Sequence, residues 1–200
     1  MAAALGAIFA PAGLFAQDVM IGVKGGLNFS DVSFDDDSEE IETESKSGLV
    51  LGVFADIGLG DMFSVRPEGL YSQKGFELAG GDAELSIDYI EVPVLLVARF
   101  GESTIRPLVF AGPVIGFESK CEVSALGESA DCGDDPDDPV ETESTDFGAA
   151  IGGGVEFDAG GFTLLFDGRY TLGLRDVDPG SGSAKNRAWS FMAGAGIGIG

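Results

Sequence analysis

The sequence predicts an all-β protein, an eight-stranded antiparallel up-and-down transmembrane β-barrel. Three observations predict it. Eight segments alternate with period two, and none places a charge on its apolar face. The connections between them run long, short, long, short, as when one rim of a barrel is decorated and the other trimmed. Aromatic residues gather at both ends of the apolar face, where the two membrane interfaces hold them.

The first strand is "IGVKGGLNF", residues 21–29. Ile21, Val23, Gly25, Leu27 and Phe29 share one face; Lys24 shares the other with Gly22, Gly26 and Asn28. Residues 49–59 set Leu49, Leu51, Val53, Ala55, Ile57 and Leu59 against Asp56. Residues 63–75 set Phe63, Val65, Pro67, Gly69 and Tyr71 against Arg66, Glu68, Ser72 and Lys74. Residues 89–100 set Ile90, Val92, Val94, Leu96, Ala98 and Phe100 against Glu91 and Arg99. In 105–117, Ile105, Val109, Ala111, Ile115 and Phe117 oppose Arg106. In 146–157, Phe147, Ala149, Ile151, Val155 and Phe157 oppose glycines and Glu156. In 162–175, Phe162, Leu164, Phe166, Tyr170, Leu172 and Leu174 oppose Asp167, Arg169, Thr171 and Arg175. In 189–199, Trp189, Phe191, Ala193, Ala195, Ile197 and Ile199 oppose Ser190 and glycines. Pro67, Pro93, Pro107 and Pro113 cannot donate to a ladder, so a one-residue register slip is expected somewhere in the third to fifth strands.

Period two does not say which face is outside, and a soluble lipocalin-like barrel alternates as cleanly with its apolar face inward. Strands of about eleven residues match a tilted membrane-spanning strand. The girdles would be Phe29, Tyr71, Phe117, Phe147 and Trp189 on the long-loop side, and Phe63, Phe100, Phe157 and Phe162 on the short-turn side. The other face carries near-balanced charges that suit a narrow lumen: Lys24, Asp56, Arg66, Glu68, Glu91, Arg99, Arg106, Glu156, Asp167 and Arg169, with Lys74 and Arg175. Lys24 therefore points inward, where Asp56 or Glu156 would partner it, because an unpaired charge there costs several kcal/mol.

The chain has 34 acids, 11 bases and no histidine, a net charge of −23. Nothing here could neutralise phosphates, so nucleic acid is excluded as a partner. Nineteen of the acids lie in residues 30–46 and 118–146, which become two long acidic loops. Residues 1–16, "MAAALGAIFAPAGLFA", have the apolar run and small-residue ending of an export signal; no Lys or Arg follows Met1, so the basic start is expected to be clipped or mis-called. Residues 17–200 then form a single barrel domain. Cys121 and Cys132, eleven positions apart in one polar loop of an exported chain, suit a disulfide; without histidine they make a poor metal site.

Taken in order, "IGVKGGLNFSDV", "YSQKGF", "YIEVPVLL", "VFAGPVIGF" and "RYTLGLRDVD" resemble the outer-membrane β-barrel domain family common in Bacteroidetes-like bacteria, the PorT-like or "porin family" group. The resemblance runs from about residue 20 to 199. It implies an outer-membrane barrel of a diderm bacterium, reached through the periplasm, with the long loops outside the cell, and it implies no particular activity. Barrels of this kind end in an aromatic residue that the barrel-assembly machinery reads. This sequence stops at "GIGIG", so the natural chain is expected to continue to an in-phase Phe or Tyr.

No catalytic residues or cofactor are expected: there is no histidine to act as base, and the glycines of "GAAIGGG" lie along a strand and not before a helix. The function expected is non-enzymatic, a structural or surface-interaction role carried by the acidic loops. The partners expected are outer-membrane lipid, the barrel-assembly machinery and weakly held divalent cations at those loops, with the barrel a monomer. The alternatives are a narrow porin-like channel for ions or small solutes and a secreted lipocalin-like binder.

Overall fold

A computed structural model describes residues 18–34, 43–78, 83–101, 103–125, 128–131, 145–173 and 184–199. The strands are β1 (Val19–Phe34), β2 (Thr43–Gly58), β3 (Phe63–Leu78), β4 (Ala83–Arg99), β5 (Ile105–Ala125), β6 (Glu128–Asp131), β7 (Thr145–Asp158), β8 (Thr163–Gly173) and β9 (Ala184–Gly198). Every pairing is antiparallel, in the order β4-β3-β2-β1-β9-β8-β7-β5, and a β4–β5 pairing closes the ring. The result is an eight-stranded barrel. β6 is a four-residue addition that folds back on β5 beyond the end of β7.

Closure is what lipid demands, because an open edge there would leave backbone groups without partners. The trimmed rim is made by tight turns. At one of them Gly160 takes φ +74°, a conformation that favours glycine, while its N–H donates to Asp158 Oδ1 at 2.8 Å. On the other rim the strands outrun the segments read from the sequence. β5 continues eight residues past Phe117, ~26 Å along the strand at ~3.3 Å per residue.

The faces divide cleanly. Large apolar side chains such as Val23, Val53, Leu96, Ile151 and Phe191 are exposed on the outside. Lys24, Arg66, Glu68, Glu156, Asp167 and Arg169 are buried inside. A lipocalin-like barrel needs the reverse, so that alternative falls.

The expected register slip occurs once in those strands, between β4 and β5 at Asp88/Tyr89, and not at a proline. A second lies between β2 and β3 at Ser45/Val50. Pairing keeps one register on both sides of Pro67, Pro93, Pro107 and Pro113. Three of these prolines surround Val94: Pro67 pairs with it, Pro93 precedes it in the chain, and Pro113 lies across from it on β5. Grouping them confines the lost donors to one patch without an extra residue.

Inside, large faces small. Lys24 lies between Gly52 and Gly194, Phe54 opposite Gly22, Phe110 opposite Gly152, Asp167 opposite Gly154, Met192 opposite Gly26 and Glu91 opposite Gly116. The inner wall of a narrow barrel is concave, so inward Cβ atoms converge, and a glycine beside a large side chain gives it room. A Cβ on Gly26 would run into the Phe191 carbonyl, whereas one on outward-facing Gly69 would meet nothing nearer than Val53 at 3.8 Å. Gly26→Ala is therefore expected to lower stability by about 1–3 kcal/mol and Gly69→Ala to leave it within ~0.5 kcal/mol. Urea unfolding in detergent, followed by the mobility of unheated protein on SDS gels, compares the two; equal loss would refute the account of the inner wall.

Candidate functional site

The lumen holds the chemistry of this chain, and period two puts it there. In the lower part, towards the short turns, the register that pairs Phe54 with Glu68 and Ile57 with Val65 sets Asp56 across from Arg66, and Arg106 pairs directly with Glu156. Arg66 donates from Nε to Asp56 Oδ2 at 2.6 Å and from Nη2 to Glu156 Oε1 at 2.8 Å. Arg99 donates from Nε to Glu156 Oε2 at 2.8 Å, from Nη2 to Asp56 Oδ2 at 2.7 Å and from Nη1 to Ser64 Oγ at 2.6 Å. Arg106 Nη2 adds an ion pair to Glu156 Oε2 at 3.3 Å. Glu156, fully buried, thus serves three guanidiniums, which the planar multi-donor fork of arginine allows and a lysine would not.

The middle layer is separate. Lys24 Nζ donates to Glu68 Oε1 at 3.0 Å and Asp167 Oδ2 at 2.8 Å, and Arg169 Nη2 donates to Glu68 Oε2 at 2.6 Å. The sequence points to Asp56 or Glu156 for Lys24, and the structure corrects this. The neighbours of Lys24 across both ladders are glycines, and Asp56 lies lower, across from Met20, where Arg66 and Arg99 take it. Lys24 therefore reaches over the glycines to carboxylates two strands away on either side.

Two phenylalanines complete these layers. Phe54 lies against Gly22 with Arg66 5.3 Å and Lys24 5.8 Å from its ring centre, and Phe110 lies against Gly152 with Arg169 at 5.4 Å. Cations over dry aromatic faces gain the ring's electrostatic attraction. Arg66 Nη1, Asp167 Oδ1 and Arg169 Nε have no hydrogen-bond partner among the described residues. Higher still, Ser190 donates to Asn28 Oδ1 at 2.5 Å, Asn28 donates to Ser72 at 2.6 Å, and Lys74 pairs with Glu91 while lying 5.2 Å over Tyr89.

Period two located the charges but missed Phe54, Phe110, Leu70, Leu95 and Leu165, which fill the lumen between them. The available signal was position: each is in phase with the charged face of its strand. Arg175 and Cys132 lie outside the described residues, as does the side chain of Cys121, so the Cys121–Cys132 disulfide does too. The aromatic residues named for the girdles all point outward, in two levels. Phe29 pairs with Trp189, and the Tyr71–Ile90–Phe117 rung carries that level round; Phe63, Phe100, Phe157 and Phe162 lie at the other end.

Below the arginines the lumen opens to the short-turn rim as a vestibule of about 650 Å³. Above, beside Lys74, Tyr89, Glu91 and Thr171, it leaves about 10 Å³, room for one water. Between them Arg66, Leu70, Leu95, Glu156 and Leu165 are at most 2 % exposed. No group of three or more metal-ligating side chains occurs among the described residues.

A closed barrel with apolar side chains outside and an ion-paired interior is a transmembrane β-barrel protein. The chain belongs to the outer membrane protein beta-barrel domain family, whose model matches residues 15–178, and its place is the cell outer membrane. The family model does not single out a PorT-like subgroup. The fold is similar to that of Neisserial surface protein A (14% identity, 90% of this chain and 97% of that one, TM-score 0.53). It is similar too to the N-terminal β-barrel domain of Pseudomonas aeruginosa OprF (14% identity, 91% and 97%, TM-score 0.51). The outer membrane enzyme PagL also resembles it (14% identity, 89% and 99%, TM-score 0.49). No curated protein matches the chain.

Removing one partner from a buried pair strands the other. Lys24→Met leaves Asp167 without the single donor it has among the described residues, while Glu68 keeps Arg169. The expected loss is about 3–5 kcal/mol. Lys24→Met with Asp167→Leu should lose distinctly less than the sum of the two single changes. Additive losses in urea unfolding would show that the pair is not coupled.

Proposed function

We propose that this protein is a non-enzymatic outer-membrane barrel whose working surface is its long-loop rim, the barrel serving as anchor. The observation that supports this most is the filled lumen. Side chains almost without exposure occupy its mid-height, leaving no open path for a solute among the described residues. The buried carboxylates are held by guanidinium or ammonium groups and not poised against a nucleophile, and the chain has no histidine to activate one.

The wall also continues past the outward aromatic level on that rim. Upper parts of β2, β3, β4 and β5, with β6, pair into one sheet there. Carboxylate-bearing positions such as Glu77, Glu84, Glu118, Glu122 and Asp131 lie along it, the last three within the acidic stretch 118–146. Such a rim suits a basic partner or weakly held divalent cations. In the same proposal residues 1–16 are the export signal, Cys121 and Cys132 form a disulfide in the rim, and the barrel is a monomer inserted by the barrel-assembly machinery.

Two experiments test the reading. In planar bilayers the purified protein is expected to show no stable conductance of solute size; a steady open channel would favour the porin-like alternative. On intact cells, protease is expected to cut within 118–146 while the barrel keeps its fast mobility on unheated gels. Resistance of that segment with cleavage at the short turns would invert the orientation and remove the proposed working surface.

A further inference from the structure

The outward face is not uniformly convex. It carries one groove of about 690 Å³ across β9, β1, β2 and β3, towards the short turns, and another of about 710 Å³ across β1, β9, β8 and β7, which reaches the outer aromatic level. The register explains the second. One rung runs Leu27, Phe191, Gly168, Gly153, and the next towards the short turns runs Gly25, Ala193, Phe166, Val155. Small residues therefore step diagonally across four strands, with Phe166 and Phe191 standing on either side. The rung above is Phe29, Trp189, Tyr170, Ile151, which puts the upper end of the groove at the outer aromatic level. Trp189 stacks on Phe191 with ring centres 6.5 Å apart and leans on Tyr170 at 5.0 Å.

We propose that this groove holds one acyl chain of an outer-leaflet lipid as a resident ligand, retained in preference to the fluid lipid around the rest of the barrel. The groove is continuous with the lipid-facing surface, so what fills it must already be in the bilayer. Lipid tails are as apolar as the walls, so no hydrophobic gain distinguishes this sector; dispersion contacts do. A chain lying between Phe166 and Phe191, whose ring lies against Gly168, over a floor that includes Ala193 and Gly153 touches protein on three sides, against one side where the wall is convex. A second barrel fits less well, because two concave sectors set face to face enclose a void, and close-packed interfaces exclude voids.

The chain has one tryptophan, and it lies at the groove's upper end, which gives a direct probe. The full barrel is reconstituted into phosphatidylcholine vesicles containing a lipid brominated on one acyl chain, and quenching of Trp189 is measured. Ala193→Phe fills the groove from a floor position that already carries a Cβ, Ala193→Leu fills it partly, and Val92→Phe puts the same aromatic side chain on the opposite wall. Fast mobility on unheated gels qualifies each variant as folded. Quenching is expected to fall by about twofold or more in Ala193→Phe, with its lost chain contacts, less in Ala193→Leu, and not at all in Val92→Phe. Equal quenching in all four proteins overturns the proposal. So does weak quenching of the unaltered protein accompanied by concentration-dependent self-association, which would assign the groove to a second copy.

Discussion

A one-residue slip of any spanning strand would turn its lumen charges into lipid and its leucines into the lumen. That constraint organises the molecule. Buried ion pairs are weak sources of net stability, since desolvation consumes most of the Coulomb gain. They are strong arbiters of register, because a one-residue slip would turn a charged side chain to the lipid and part Arg66 from Asp56 and Glu156, or Lys24 from Glu68 and Asp167. The two slips among the described residues fit this view. One lies at Ser45/Val50 and the other at Asp88/Tyr89, both at or beyond the outer aromatic level, where a misdirected side chain meets water. Along the band between the girdles every pairing holds a single register.

The inward glycines follow from the same requirement. A lumen narrow enough to be plugged by side chains leaves little room for a large group with large neighbours on both adjacent strands. Glycine beside many of the large residues eases this, and it lets Phe54 and Phe110 lie against the wall with cations near their rings. Lys24 is the extreme case, with Gly22 and Gly26 along its own strand and Gly52 and Gly194 across from it. A lysine in a glycine-rich apolar stretch is thus the sign of a charge given space to cross a lumen.

How much of this was legible in the sequence depends on the range of the interaction. Alternation is local, so strand number, the facing of each strand and the side that carries charge were all readable. Pairing across the lumen is not local. The partners of Lys24 are 44 and 143 residues away, and they depend on how far the strands are staggered around the ring, which period two does not encode. The prolines misled for a related reason. Each looked like a break when viewed on its own strand, but three of them cluster around Val94 only after the strands are paired. Strand ends on the long-loop side were also underestimated, because beyond the girdle the outward face no longer needs to be apolar and the alternation that marks a strand fades.

The distribution of charge along the lumen bears on how firmly the interior is held. Three arginines converge on Asp56 and Glu156 near the short turns, and the middle layer balances Lys24 and Arg169 against Glu68 and Asp167. Opening a path would mean separating at least one of these sets, and because the members share carboxylates, none leaves alone. Arg66 and Arg99 both hold Asp56 and Glu156; moving either leaves the other in place across the gap. A single switchable ion pair can gate a passage, whereas a cross-braced set of five residues behaves as a plug. The same cross-bracing ties the strands of the interior to one another and to one register. The regions of the chain free to vary in chemistry are those outside that constraint: the outer wall where small residues leave a groove, and the extended rim where the strands leave the bilayer.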